Sequence, residues 1–185
     1  MDIHRKVLHI VLCHGGGVEV YTRMLIEHTC KNYETVLICA SEYNKKMLPI
    51  DSRAIYNVDV PREISVSKDL KAVFEIRKII KSEKPDVLYC HSSMSGAIGR
   101  AAATGLRCKV VYNPHGWSFD MEVSPKKKMF YRFLEKIMAM KTDKTVAISE
   151  YEKRSALKNK ICSESKIEVI YNGIDLDKCK SAKSE

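Results

Sequence analysis

Short apolar runs alternate with longer amphipathic stretches along the whole 185-residue chain. The runs at 6–13, 34–40, 53–58, 86–90, 108–113, 144–148 and 166–171 read as strands. Most are continuous instead of alternating with period two, as expected of strands covered on both faces. Between them, 18–30, 67–82, 95–106, 126–140 and 149–159 are each long enough for a crossover helix. In the second of these, Leu70, Val73, Phe74, Arg77 and Ile80 recur at three- and four-residue spacing. Ser67 and Ser149 stand where N-caps are needed, and Pro85 stops the chain ahead of a strand. The repeated βα unit predicts an α/β fold, Rossmann-like, with a mostly parallel sheet and helices on both faces.

Composition narrows the class. The length suits one domain with a single core, and 45% apolar residues are enough to fill it. No window approaches the ~20 apolar residues of a membrane span. The polar start Met1-Asp2-Ile3-His4-Arg5-Lys6 does not read as a signal peptide. The expected location is the cytoplasm. Seven cysteines stand singly, with no C-x-x-C pair, so reduced thiols are expected and a metal site is not. The net charge of +9 is concentrated: between Lys126 and Lys160 there are eleven Lys or Arg against four acids. Such a patch attracts phosphate on nucleic acid, lipid or nucleotide, and charge alone does not choose among them.

In an open parallel sheet, ligands bind beyond the carboxyl ends of the strands. Five segments fall there: Cys13-His14-Gly15-Gly16-Gly17, Cys90-His91-Ser92-Ser93, Asn113-Pro114-His115-Gly116-Trp117, Ser149-Glu150 and Asn172-Gly173. Gly15, Gly16 and Gly17 join a strand to a helix N-terminus, where amides without Cβ atoms around them can approach a phosphate. Glu19 and Val20 stand where a P-loop needs Lys and Ser or Thr, which argues against that class of nucleotide hydrolase. A dinucleotide fingerprint is met at two of three glycines, with Glu42 placed to take a ribose; a tight turn of purely structural purpose is the third reading. His115 can donate to a phosphate oxygen or a sugar hydroxyl, and Gly116 lets a ligand reach the backbone.

The stretch from Lys126 to Lys141 combines Met129, Phe130, Phe133, Leu134, Ile137 and Met138 on one expected face with Lys126, Lys127, Lys128, Arg132 and Lys136 elsewhere. A helix so built can rest on anionic lipid, or pack on the sheet with a solvated basic face. Both hold if its start protrudes.

Five segments in order, Gly16-Gly17-Val18-Glu19, Pro85-Asp86-Val87-Leu88-Tyr89-Cys90-His91-Ser92, Pro114-His115-Gly116, Val146-Ala147-Ile148-Ser149-Glu150 and Val169-Ile170-Tyr171-Asn172-Gly173-Ile174-Asp175, resemble the N-terminal domain of family 4 glycosyltransferases. These are retaining enzymes of the GT-B fold. The resemblance implies transfer of a sugar from a nucleotide-sugar donor to a saccharide or lipid-linked acceptor in polysaccharide biosynthesis. It implies that Gly15, Gly16 and Gly17 approach the donor diphosphate and that His115 is the catalytic-side residue meeting the donor sugar. Glu19, His91, Ser92 and Gly116 are then on the acceptor side. No metal and no cofactor is implied, the nucleotide-sugar being a substrate, and nucleic acid is not an expected partner.

The same resemblance divides the chain into an acceptor-side domain, 1–175, and the start of a linker or a disordered tail, 176–185. The family's second domain, which carries the nucleotide site and paired glutamates, is expected from elsewhere, in cis or in trans. The isolated chain is therefore expected to fold without catalysing transfer at a useful rate. Peripheral contact with an anionic membrane through the helix 126–141 is a further expectation. An NAD(P)-binding oxidoreductase domain and a non-catalytic subunit of a two-component transferase are the competing readings.

Overall fold

A computed structural model describes residues 5–12, 16–40, 54–60 and 66–174. Glu42, Cys13, His14 and Gly15, and the segment 176–185, lie outside the described residues.

The elements follow in the order β1 (Lys6–Val11), α1 (Gly17–Thr29), β2 (Glu34–Ala40), β3 (Ala54–Val58), α2 (Val66–Glu83), β4 (Val87–His91), α3 (Ser93–Ala103), β5 (Lys109–Asn113), α4 (Pro125–Ala139), β6 (Lys144–Ala147), α5 (Glu150–Lys158) and β7 (Ile167–Val169). Single 3-10 turns, Ser118–Asp120 and Glu164–Lys166, precede α4 and β7. The strands form one parallel sheet in the order β3-β2-β1-β4-β5-β6-β7. The chain reverses its direction of travel between β1 and β4, which opens a crevice at the C-terminal ends of those two strands.

Register divides the strands into two faces. Leu8 and Ile10 of β1 lie beside Val36 and Ile38 of β2 and Leu88 and Cys90 of β4. With Val110 and Tyr112 of β5 they form the main core, closed by Ile76 and Ile80 of α2, Ile98 of α3, Ala139 of α4 and Ala156 of α5. Each fully buried Leu or Ile contributes roughly 1.5–3 kcal/mol. The opposite face packs Val11, Leu37 and Cys39 against Ile26 and Val18 of α1. Helices α2 to α5 thus share one layer, and α1 covers the other, as right-handed crossovers on either side of the switch require.

The third helix is drawn closest to the sheet. A Cβ on Gly99 would meet Cys90 Sγ at 2.6 Å and Ile10 Cδ1 at 2.9 Å, and one on Gly96 would meet Tyr112 Cδ2 at 2.8 Å. Beside these glycines sits a buried polar triad. Arg100 Nη2 donates to Glu135 Oε2 at 2.8 Å, Arg100 Nε to the Gly96 carbonyl at 2.7 Å, and the Tyr112 hydroxyl to Glu135 Oε1 at 2.9 Å. The guanidinium lies over the Tyr112 ring, 3.9 Å from its centre. The triad ties α3, α4 and β5 together at a depth where an unpaired charge is costly.

At the opposite edge, aspartates standing immediately before strands secure their neighbours. Asp86 Oδ2 accepts from the Lys6 amide at 2.8 Å, and Asp143 Oδ2 from the Val110 amide at 2.9 Å. Burial pushes the Asp143 carboxyl up, but the Val110 amide and the Lys109 ammonium outweigh it and hold it below its usual range.

Two expected details differ. The second helix begins at Val66, so Ser67 is its second residue and not its cap. The third begins at Ser93, two residues earlier than the apolar spacing predicts, because Ser92 turns the chain with φ 77° and ψ 162°. Ser149 does cap α5, its hydroxyl accepting from the Glu152 amide at 3.2 Å.

Candidate functional site

The exits of β1, β4 and β5 meet at the crevice, and each contains backbone in the left-handed half of φ space. Gly16 has φ 84°, Ser92 φ 77°, His115 φ 51° and Gly116 φ 106°. For Ser92 and His115, which carry side chains, such conformations cost about 1–3 kcal/mol each and are held only by what surrounds them. What holds them is visible. The Ser92 amide donates to the Asn113 carbonyl at 2.9 Å, the Asn113 side-chain oxygen accepts from the His115 amide at 3.1 Å, and Ser95 Oγ accepts from the Leu12 amide at 2.8 Å. Asn113 and Ser95 are fully buried. The crevice is thereby stitched across all three strands.

Gly16, Gly17 and Gly116 are exposed at this edge, and His115 and Ser92 are half-buried. The N-termini of α1 and α3 both end here, directing partial positive charge at whatever occupies the crevice. A Cβ on Gly16, Gly17 or Gly116 would meet nothing within 4 Å, so the backbone there is open to close approach.

His91 and Glu19, expected on the acceptor side, are both buried. His91 is fully buried beneath His115, because it ends β4 with its side chain on the face covered by α1. Glu19 is buried at the side of α1 nearest β2, where its carboxylate adds to burial in raising the Cys39 thiol to about 11.

His91 is instead the middle of a column. Its Nε2 lies 3.1 Å from His9 Nδ1, and its Nδ1 lies 3.4 Å from His115 Nε2. Tyr21 of α1 sets its ring edge against His115 with centroids 4.7 Å apart, and Tyr89 lies 4.2 Å from His91. All three imidazoles are held neutral at physiological pH. Burial lowers His9 and His115 to about 4, and burial together with the flanking rings lowers His91 well below its usual value. Burial, with Tyr21 alongside, pushes the Tyr89 hydroxyl well up, while Asn113 pulls against it. Among the described residues the column therefore offers the crevice neutral imidazoles beside backbone amides.

Glu152 anchors the mouth from α5. Its Oε2 accepts from the Ile148 amide at 2.9 Å, its carboxylate also takes the Gly116 amide, and its carbonyl accepts from Trp117 Nε1 at 3.0 Å. Burial pushes its carboxyl up against the pull of those amides.

Sequence reasoning missed His9, Tyr21, Tyr89 and Glu152. One signal was present. In Val7-Leu8-His9-Ile10-Val11 and Val87-Leu88-Tyr89-Cys90-His91 the polar or aromatic residues share one parity, so they line one face of the sheet. Among the described residues no cluster of His, Cys, Asp and Glu is arranged to hold a metal ion.

The family model for Glycosyltransferase Family 4 matches residues 15–178. Over 128 residues the chain is 35% identical to a UDP-Gal:alpha-D-GlcNAc-diphosphoundecaprenol alpha-1,3-galactosyltransferase of Escherichia coli, covering 68% of this chain and 33% of that protein. It is 26% identical over 180 residues to the capsular polysaccharide biosynthesis glycosyltransferase CapM of Staphylococcus aureus, covering 95% of this chain and 46% of the relative. The chain spans between about a third and a half of the length of these curated relatives. A glycosyltransferase structure from Rickettsia africae superposes with a TM-score of 0.71 at 20% identity, over 97% of this chain and 50% of that one, a likeness of fold.

Proposed function

The chain belongs to glycosyltransferase family 4, and from that membership we propose that it is the acceptor-side domain of a retaining GT-B enzyme acting in polysaccharide biosynthesis. The observation that carries the proposal is the convergence of three strand exits with positive-φ backbone, strained at Ser92 and His115, and of two helix N-termini on one crevice at the switch point. Loss of a nucleoside diphosphate from a sugar develops negative charge on the leaving group, and amides backed by helix dipoles stabilise it without a base. In this reading Gly16 and Gly17 of the glycine turn take the diphosphate and His115 meets the donor sugar. Ser92 and Gly116 border the acceptor, while His91 acts through His115 and Glu19 belongs to the packing of α1. A second domain, in cis or in trans, closes over this wall and supplies most donor contacts.

The acceptor is proposed to be saccharide carried on a lipid diphosphate, by analogy with the E. coli relative. The face of α4 supports a membrane-side acceptor. Six apolar residues were expected on one face, but they divide: Leu134, Ile137 and Met138 are half-buried, whereas Met129, Phe130 and Phe133 are more than half exposed. They stand beside Lys126 and Lys127, both exposed. Large exposed apolar groups in a basic setting mark interaction surfaces, and lipid fits this pairing. An apolar cavity of about 570 Å³, bordered by Leu70, Val73, Met94, Ile98, Phe130 and Leu134, opens along the same helix. No helix among the described residues is long and apolar enough to cross a membrane. The proposed location is the cytoplasmic face of a membrane, supported by the exposed apolar and basic residues of α4.

The dinucleotide reading of the glycine turn gains nothing from the family match, and its ribose-binding acid, Glu42, lies outside the described residues. The test is transfer from UDP-hexoses to a prenyl diphosphate-linked sugar by the enzyme assembled with its second domain. His115→Ala is expected to lower kcat by about 100-fold. Wild-type turnover without transfer defects in His115→Ala would overturn the role of the crevice, and robust turnover by the 185-residue chain alone would overturn the two-domain reading.

A further inference from the structure

We infer that His9 and His91 are positioning residues that tie the proton of His115 to one of two concerted arrangements of the column; the inference rests on His115 meeting the sugar donor. A neutral imidazole has one N–H and one lone pair. A contact between two ring nitrogens therefore needs a donor on one side and an acceptor on the other. In a column of three the choice at one link dictates the next. If His9 Nδ1 donates, His91 Nε2 accepts, His91 Nδ1 carries the proton and donates to His115 Nε2, and His115 is protonated on Nδ1. If His115 Nε2 donates, every assignment reverses and His115 Nδ1 is a bare acceptor. Only two arrangements keep both bonds.

The geometry enforces this coupling. The links measure 3.1 and 3.4 Å, His9 and His91 are at most 2% exposed, and adjacent rings lie within 30° of parallel. Water has little access to substitute for a missing partner. The strands fix the column: His9 pairs in register with Tyr89 and Val11 with His91, so the three rings step from the middle of β1 to the rim at β5. The nitrogen of His115 outside the column is Nδ1. An anionic or lone-pair-bearing oxygen of a nucleotide-sugar at Nδ1 selects the outward arrangement, and the change is relayed to the far nitrogen of His9, buried in β1. Once selected, the outward arrangement presents a donor whose inner nitrogen is already partnered by His91.

The test begins on the unaltered 185-residue chain, labelled with 15N-histidine. Long-range proton–nitrogen spectra are expected to show one protonated and one bare nitrogen in each of the three rings, with nitrogen–nitrogen coupling across both links. Absence of coupling at both links overturns the column. In His9→Phe, with folding verified by circular dichroism, the balance between the two His115 tautomers is expected to shift. His9→Asn, whose amide nitrogen replaces Nδ1, is expected to return it toward that of the native chain. An unchanged His115 tautomer in folded His9→Phe overturns the inference. In the assembled enzyme His9→Phe is expected to lower kcat by about tenfold with donor KM within about twofold, and His9→Asn to recover most of it. Should the assembled enzyme transfer no sugar at all, the functional reading fails, while the spectra still decide the column.

Discussion

Glu135→Leu exposes most sharply how the site layer is attached to the sheet. In the native chain the Glu135 carboxylate, 5% exposed, receives Arg100 Nη2 at 2.8 Å and the Tyr112 hydroxyl at 2.9 Å. Leucine removes both acceptors and leaves a guanidinium that is 1% exposed. Its remaining partners, the Gly96 carbonyl and the Tyr112 ring face, carry no full charge. Breaking a buried pair from one side costs about 3–5 kcal/mol. Against a total stability of roughly 5–15 kcal/mol the variant still folds. At about 2–4 °C per kcal/mol for a chain of this size, Tm is expected to drop by roughly 6–20 °C. Replacing the whole triad, with Arg100→Met, Glu135→Leu and Tyr112→Phe together, removes the uncompensated charge along with its partners and is expected within about 2 kcal/mol of wild type. Urea denaturation followed by circular dichroism measures both. A single variant that loses less than about 1 kcal/mol, or a triple variant as unstable as the single, refutes the reasoning and assigns the triad to packing alone.

The histidine column makes stability depend on pH. His9 is held at about 4 against 6.5 when free, so between those values the unfolded chain binds a proton that the native chain does not. Stability is level above about pH 6.5 and falls on acidification toward 4, by about 1.4 kcal/mol per pH unit from His9, with His91 and His115 adding in the same sense. Urea midpoints that fail to decline between pH 6.5 and 5 contradict this. Gly96→Ala and Gly99→Ala force Tyr112, Cys90 and Ile10 to shift and are each expected to cost about 1–3 kcal/mol, whereas Gly17→Ala, with open space around it, stays within about 1 kcal/mol; equal effects at the three positions in thermal melts would deny the tight approach of α3. Flotation with anionic vesicles is expected to carry the wild-type protein and to lose the variant with Met129, Phe130 and Phe133 all changed to Ser, and equal flotation of the two would remove α4 from membrane docking.

The strands and helices were readable in advance because the runs of β1, β2 and β6 are dense enough to be covered on both faces and the helical stretches are long enough to span the sheet. The β2 strand falls on 34–40 as expected, and the rim glycines and His115 stand where strand ends meet helix starts. Ser67 misled because a serine one residue inside a helix looks like a cap when only spacing is considered. His91 is a different case. Its place at a strand end is a property of the chain, but its depth depends on α1 lying over the face it points to.

By itself the sequence determined the βα repeat, the family, and the set of residues on the carboxyl edge, since local periodicity and short turn motifs carry that information. Tertiary structure alone decided that His9, 82 residues away from His91, is bonded to it, that Arg100 and Glu135 share one buried charge pair, and that Met129, Phe130 and Phe133 are left in solvent. Those outcomes depend on strand order, register and helix layer. No local pattern encodes them, because they arise from which distant segments the packed sheet brings into contact.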